Sequence, residues 1–424
     1  MAVDPRQLLA GFLTISMFVM VGNMIKRDHF DTFEVALSDS AGVEVNVIKV
    51  EERKITQVAK FTTIPTKNIA TNYKEIVNQC WLKPSPKPVA SSEGFVTFSL
   101  TTGPEFHISQ VTDAVVIASH LGASLVLPTI RGNEVGVKRN FNDMYDVKKF
   151  TTSLSGIVKI AHELPLEFAS KKPTIIRVPN RVTEEFISKT IEPIFQTSKY
   201  IHLSIIFPSI SLRKRDTQNK DLNVVACQAM FHSLQLKADL HEVAQKMVEK
   251  LKALGMENGG RFVAIDFRSD MLNKRSCMVV RGRRKSCYNA SEIAEFLKKL
   301  GFGPNSVVYL TETWWHEGLS PLKEAFPKTY TKDDIIPAGK KRQFLQVGNG
   351  DLHRALDFHI CSNSDTFVPA ISGLFYGNVA GQRIISGRTQ ILVPSQYVGY
   401  SAAASDFVSA YVSKKSHLAY SCLC

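Results

Sequence analysis

From Leu8 to Ile25 the chain runs for 18 residues without a charge. At a rise of about 1.5 Å per residue this makes a helix of about 27 Å, close to the thickness of a bilayer core. The run is longer than the usual apolar stretch of a signal peptide, and no small-residue cleavage site of the A-x-A kind follows it. The pattern therefore predicts an uncleaved signal anchor at 8–25 behind a short tail at 1–7. Arg6 on one side and Lys26 with Arg27 on the other leave the orientation open by charge. Residues 26–93 show little periodicity and close on Lys83-Pro84-Ser85-Pro86-Lys87-Pro88, a stiff, extended composition that reads as a stem.

Beyond the stem the pattern becomes regular. An apolar helical face through Ile108, Val111, Val115, Ala118 and Leu121 passes by Gly122 into the short buried strand Ser124 to Pro128. Strand candidates follow at Thr174 to Val178 and His202 to Phe207. A long amphipathic helix then carries Leu240, Val243, Ala244, Met247, Val248, Leu251 and Leu254, stops at Gly255 and leads into a strand from Phe262 to Phe267. A helix at Ile293 to Leu300 ended by Gly301, a strand at Val307 to Leu310 and an apolar stretch at Leu356 to Cys361 complete the series. Strands alternating with helices predict mostly parallel sheets in two α/β units, 94–255 and 256–400, with a tail at 401–424. No fixed-period repeat is present, which argues against a solenoid or propeller. Ligands of parallel sheets collect beyond the carboxyl ends of strands. The residues to watch are Asp266 and Arg268, Glu105 ahead of its helix, and Ser364-Asp365-Thr366-Phe367, read as a turn.

Composition narrows the picture less than the pattern does. With 424 residues, 44% hydrophobic and 21% charged, the chain is neither disordered nor collagen-like. Its net charge of +13 favours anionic ligands. The basic runs Arg213-Lys214-Arg215 and Arg281-Gly282-Arg283-Arg284-Lys285 lack the interleaved aromatics that nucleic-acid binding calls for, and read as solvated loops. Seven cysteines without a CxxC pair argue against a zinc-built fold, and His107, His232 and His316 have no ligand spacing. Cys277 and Cys287 could close a short disulfide loop in an oxidising compartment or remain free thiols. Asn289-Ala290-Ser291 is the only N-x-S/T sequon, a glycan acceptor if the body is lumenal, while Ser291 also suits a helix cap. Trp314-Trp315 is either core, the favoured reading, or a platform for stacking a saccharide.

Five motifs, taken in order, resemble a known family. They are Phe141-Asn142-Asp143-Met144-Tyr145-Asp146, Cys227 with His232 in ACQAMFHSLQL, FVAIDFRSDM at 262–271, RALDFHICSNSDTFVP, and Gly381-Gln382-Arg383. Together they are similar to the plant O-fucosyltransferase-like glycosyltransferases over roughly 95–395, and to the mannan-synthesis-related branch over the whole chain. The resemblance implies a Golgi type II membrane protein whose body is GT-B-like, two Rossmann-like domains facing a cleft. It also implies inverting transfer from a nucleotide sugar, without metal or other cofactor. The chain has no Asp-x-Asp, the carboxylate pair with which metal-dependent transferases hold a cation on the diphosphate.

Within that resemblance Arg268 matches the arginine of the family's His-x-Arg motif and would hold the leaving diphosphate through its planar fork. An ordinary ion pair with Asp270 is the alternative. Asp266 stands where the family has histidine. Glu105, in Gly103-Pro104-Glu105-Phe106-His107, would be the base that takes the acceptor's proton; its alternative is to satisfy the first amides of the following helix. Phe106, His107, Asp266, Phe267, Ser364, Asp365, Thr366 and Phe367 would contact the donor. Asp351 would pair with a guanine edge or, alternatively, cap the helix containing Arg354 and Ala355. The implied partners are a nucleotide sugar, with GDP-sugars first, and a mannan-type polysaccharide acceptor. A second reading is a non-catalytic Golgi partner that stabilises a mannan synthase.

Overall fold

The computed structural model describes residues 94–424 except 102, 132–137, 180–181, 206–219, 273–286, 347–348, 395–406 and 424. The expected tail at 1–7, anchor at 8–25 and stem at 26–93 lie outside the described residues, as does Cys277 of the expected Cys277–Cys287 bridge. Among the described residues no helix is long and apolar enough to cross a membrane.

The first sheet is built around β1 (Phe95–Leu100), whose alternate residues Val96, Phe98 and Leu100 are buried. On one side β1 pairs with β7 (Tyr200–Ser204), which pairs with β6 (Thr174–Arg177). On the other it pairs first with β2 (Ser124–Val126) and then with β3 (Thr129–Arg131). β5 (Ile160–Ala161) lies outside β2, and β4 (Lys138–Asn140) outside β3; only the β3–β4 pairing is antiparallel. The second sheet is wholly parallel, in the order β10 (Thr329–Tyr330), β9 (Val307–Leu310), β8 (Phe262–Asp266), β11 (Thr366–Pro369). β8, β9 and β11 are buried at every position, the near-continuous apolar run that a strand covered on both faces requires.

Among the described residues five helices of ten or more residues cover these sheets: α1 (Pro104–Leu121), α2 (Ala238–Leu254), α3 (Ala290–Lys299), α4 (Gly350–Asn363) and α5 (Leu374–Ile385). α1 begins one turn before its apolar face because Pro104 occupies its first turn, and it ends in a left-handed Gly122 at φ 61°. The cap of α3 is Asn289 rather than Ser291. Its Oδ1 accepts from Glu292 N at 3.0 Å while Glu292 Oε2 accepts from Asn289 N at 2.9 Å. Asn289 itself is exposed.

One hydrophobic cluster runs through both sheets, from Val96 and Ile117 through Met247 to Ala264, Tyr309, Leu356 and Phe367. A second covers the other face of the second sheet with Val263, Ile265, Ile293, Leu297, Val308 and Leu310. Where it is described, the segment expected as a tail at 401–424 belongs to the body. Phe407 joins the second cluster, and Cys422 forms a disulfide with Cys227, 195 positions earlier. His417 is fully buried beside α5, where its Nε2 donates to Gly377 O at 3.1 Å and its Nδ1 accepts from Ala419 N at 3.0 Å. A Cβ on Gly381 would come within 2.6 Å of the His417 ring. The glycine of the Gly-Gln-Arg motif is thus set by this close approach. Trp314 and Trp315, favoured as core from sequence, are 53% and 37% exposed.

Candidate active site

The carboxyl ends of β1, β8, β9 and β10 open onto one cavity of about 380 Å³. Gly103 and Glu105 reach it from beyond β1, Arg268 and Asp270 from beyond β8. Thr311 to Thr313 follow β9 and Lys332 follows β10, while the first turns of α4 close the remaining side with Asp351, His353, Arg354 and Asp357. Its polar walls rest on two buried ion pairs.

In the first pair, Arg354 Nη1 donates to Asp266 Oδ1 at 2.7 Å and Nη2 to Oδ2 at 3.3 Å. The guanidinium carbon lies 3.3 Å from the centroid of the Phe375 ring. Burial opposes the charge on Arg354, but Asp266 outweighs it and holds the group firmly protonated. Thr311 Oγ1 accepts from Phe267 N at 2.9 Å and lies 3.2 Å from Asp266 Oδ1. In the second pair, Lys332 meets Asp357, both almost fully buried. Tyr309 OH donates to Asp357 Oδ1 at 2.8 Å, and Lys332 Nζ donates to Thr311 O at 2.9 Å. Desolvation pushes Lys332 down and Asp357 up from their ordinary values, each opposed by the partner's charge.

Glu105 occupies the first turn of α1, and Asn378 Nδ2 of α5 fixes it by donating to its carbonyl at 2.7 Å. No side-chain cap bond is made at this helix start, and Glu105 Oε2 is buried without a hydrogen-bond partner. The alternative of a carboxylate satisfying helix amides is therefore not what this oxygen does. Gly103 has φ 98°, a backbone conformation that calls for glycine, and a Cβ there would stand 3.0 Å from Glu105 Oε2. Arg268 has taken its alternative: Nε donates to Asp270 Oδ1 at 3.2 Å and Nη2 to Oδ2 at 2.9 Å. Both partners are more than a third exposed, so the pair costs little to open. Asp351 is buried in the first turn of α4 and accepts from the Gly103 amide. Burial raises its pKa against the opposing charge of Arg139. The cap position that Asp351 was expected to fill belongs to Asn349.

Residues 108–386 match the family described as GDP-fucose protein O-fucosyltransferase. The chain belongs to this family. It is 46% identical over 427 residues to Protein MANNAN SYNTHESIS-RELATED 1 of Arabidopsis thaliana, with all of both chains covered. It is 43% identical over 425 residues, again with both chains covered in full, to Protein MANNAN SYNTHESIS-RELATED of Trigonella foenum-graecum. O-fucosyltransferase 6 of Arabidopsis thaliana is more distant, 25% identical over 346 residues, 74% of this chain and 60% of that one. A solved structure of POFUT1 in complex with GDP is similar at a TM-score of 0.40 and 10% identity, covering 72% of this chain and 99% of that one.

Of the residues expected to serve an O-fucosyltransferase, the cavity brings together Glu105, Arg268 and Asp351. The others are placed elsewhere. Asp266 is 2% exposed with both carboxylate oxygens engaged, so it positions Arg354 and does not face a donor. Phe267 is core. Phe106 is half-buried outside the cavity lining. His107 is enclosed, its Nε2 donating to Thr101 O and its Nδ1 accepting from Tyr145 OH, both at 2.7 Å. Ser364, Asp365, Thr366 and Phe367 are not a turn at the cavity. Ser364 ends α4, and β11 begins at Thr366 opposite Val263, so all four sit at the amino edge of the sheet. Arg383 holds this edge by donating to Cys361 O, Ser364 O, Asp365 O and Gln390 O at 2.6–3.0 Å. The arginine of the family-like Gly-Gln-Arg motif is a structural clamp.

The site also contains residues that sequence reasoning does not single out. Arg354 and Asp357 lie inside the RALDFH motif, one helical turn apart, and that i,i+3 spacing was the available signal. Lys332 follows a strand of two residues and carried none. Burial pushes the His107 pKa from 6.5 down to about 4, against its backbone bond to Thr101. The unfolded chain binds more protons than the folded one between these values, so the contribution of His107 is complete above about pH 6.5 and lost as pH falls toward 4. Urea midpoints should therefore drop between pH 7 and pH 5, with roughly 1–3 kcal/mol from this residue. His107→Gln should remove its share of that slope and leave the part due to His353, His359 and His417, which burial likewise lowers to about 4, and an unchanged slope would show His107 to be solvated.

Proposed function

We propose that this chain is an inverting glycosyltransferase that takes a nucleotide sugar, a GDP-sugar first among them, into this cavity and passes the sugar to a mannan-type polysaccharide. The observation that carries the reading is the buried, unpartnered Glu105 Oε2 in the same cavity as the exposed fork of Arg268. Arg268 exchanges Asp270 for two oxygens of the diphosphate. The acceptor oxygen attacks the anomeric carbon while Glu105 takes its proton. The bond from sugar to phosphate breaks, and its electron pair leaves on the diphosphate, which Arg268 stabilises. Arg354 and Lys332, each neutralised by its own buried carboxylate, stiffen the cavity floor and leave Arg268 as the cation that meets the diphosphate, and no metal ion is assigned a part. The family and the full-length likeness to proteins named for mannan synthesis support the substrate class. A Golgi membrane protein anchored through 8–25, with its body in the lumen, fits this reading, and the Cys227–Cys422 disulfide supports an oxidising compartment.

One observation favours the second reading, a non-catalytic partner of a mannan synthase: Asp266, at the position of the family's histidine, is fully committed to Arg354. Thermal melting of the full-length chain with GDP, UDP and their sugars separates the two. A shift with GDP, and a loss of affinity of about tenfold to a hundredfold in Arg268→Ala, is the expected result. No shift with any nucleotide would sink the transferase.

A further inference from the structure

The segment that follows β9 does more than line the cavity. Lys332 N donates to Glu312 O and Asp333 N to Thr313 O, both at 3.1 Å, so residues 312–313 are pinned to the chain beyond β10. Glu312 Oε1 also accepts from Ser269 N at 2.6 Å. On the far side, the turn Glu317–Leu319 runs into the helix Ser320–Ala325, anchored by fully buried Leu319 and Leu322. Between these two anchors stand Trp314 and Trp315, the next residues after Thr313 of the cavity wall. Lys323 braces Trp315, with Nζ 4.5 Å from the ring centroid. Trp314 is the more exposed of the two, at 53%.

Large aromatic rings left in water cost hydrophobic free energy, and a pair that directly follows a residue of a polar cavity's wall calls for an occupant. Among the described residues none of the large exposed apolar side chains lines the cavity itself, and of them only Trp314 and Trp315 directly follow a lining residue, Thr313. The negative face of an indole ring attracts the partly positive C–H groups on one face of a pyranose, and successive sugars of a linear chain present such faces at regular intervals. The cavity itself is lined by charged side chains of both signs, with Arg268 the cation placed for a diphosphate.

We infer that Trp314, with Trp315 beside it, is the stacking platform for the acceptor: a linear, β-linked hexose polymer laid along the rim with its reacting end toward Glu105. This rests on the transferase reading for its purpose, but the platform binds saccharide with or without a nucleotide. The pair makes up two of the three tryptophans in the chain, so intrinsic fluorescence reports on it directly. Titrating the full-length chain with β-1,4-mannohexaose, without nucleotide, should quench or blue-shift the emission. Trp314→Ala should weaken that binding about tenfold, and Trp314→Phe should restore part of it. In both variants the melting shift with GDP should stay as in the wild type. Absence of any fluorescence response in the wild type, or equal affinity in Trp314→Ala, overturns the platform. A response to mannohexaose without any GDP shift supports the platform while removing the transferase.

Discussion

Glu105→Gln should lower sugar transfer by roughly 10²- to 10⁴-fold and leave the melting shift with nucleotide unchanged. The amide keeps the size and shape of the carboxylate but cannot accept the acceptor's proton. Glu105 Oε2 makes no hydrogen bond, so the substitution breaks none there, and the carbonyl held by Asn378 is untouched. The loss should fall on kcat, with little change in the KM of either substrate, because the group is asked to act only as the proton leaves. Steady-state release of nucleoside diphosphate with saturating acceptor reads this directly. Turnover within a few fold of the wild type would remove Glu105 as the base and leave the cavity in need of another.

The second large effect is on stability. Asp357→Asn should cost about 3–5 kcal/mol in urea unfolding, because it leaves the Lys332 charge buried without a counter-ion. The same substitution disturbs the acceptor of Tyr309 OH. The double variant Lys332→Met with Asp357→Leu removes both charges and should recover much of the loss, since an apolar pair of similar volume has no desolvation to repay. If Asp357→Asn unfolds with a midpoint near that of the wild type, water must reach this pair from the cavity. Arg268 and Asp270 stand at the opposite extreme. Water already solvates both of them, so separating that pair exposes no unpaired charge to a low dielectric and costs little.

The alternation of helix and strand was legible because it is written in apolar spacing. Leu240 to Leu254 read as a helix and form α2; Val307 to Leu310 read as a strand and form β9. The strand-end rule likewise singled out Arg268, which follows a strand that could be read, whereas Glu105 was picked out ahead of its helix without β1 being read at all. Where spacing and residue type did not determine structure, the reading failed for identifiable reasons. Thr366 and Phe367 follow Ser-Asp and look like a turn, yet Thr366 to Pro369 is four buried residues of strand, and the sheet's direction puts them at the wrong edge. Asp266 and Arg354 are 88 positions apart, and Cys227 and Cys422 are 195 apart; nothing local joins either pair. The tryptophans looked like core by composition alone, and it is their exposure that corrects the reading.

The segment after residue 400 sets a boundary on how this protein can be cut. The span shared with the family stops at 386, inside the turn that follows α5. A chain cut after residue 386 alone would keep every residue of the cavity and still lose the other half of the Cys227 bond and the ring that fills the space above Gly381. α5 would then present a bare groove to water, and it is α5 that supplies Asn378 to Glu105. The minimal unit of this fold is therefore longer than its family signature, and its last turn is wired, through one helix, to the carboxylate at its centre.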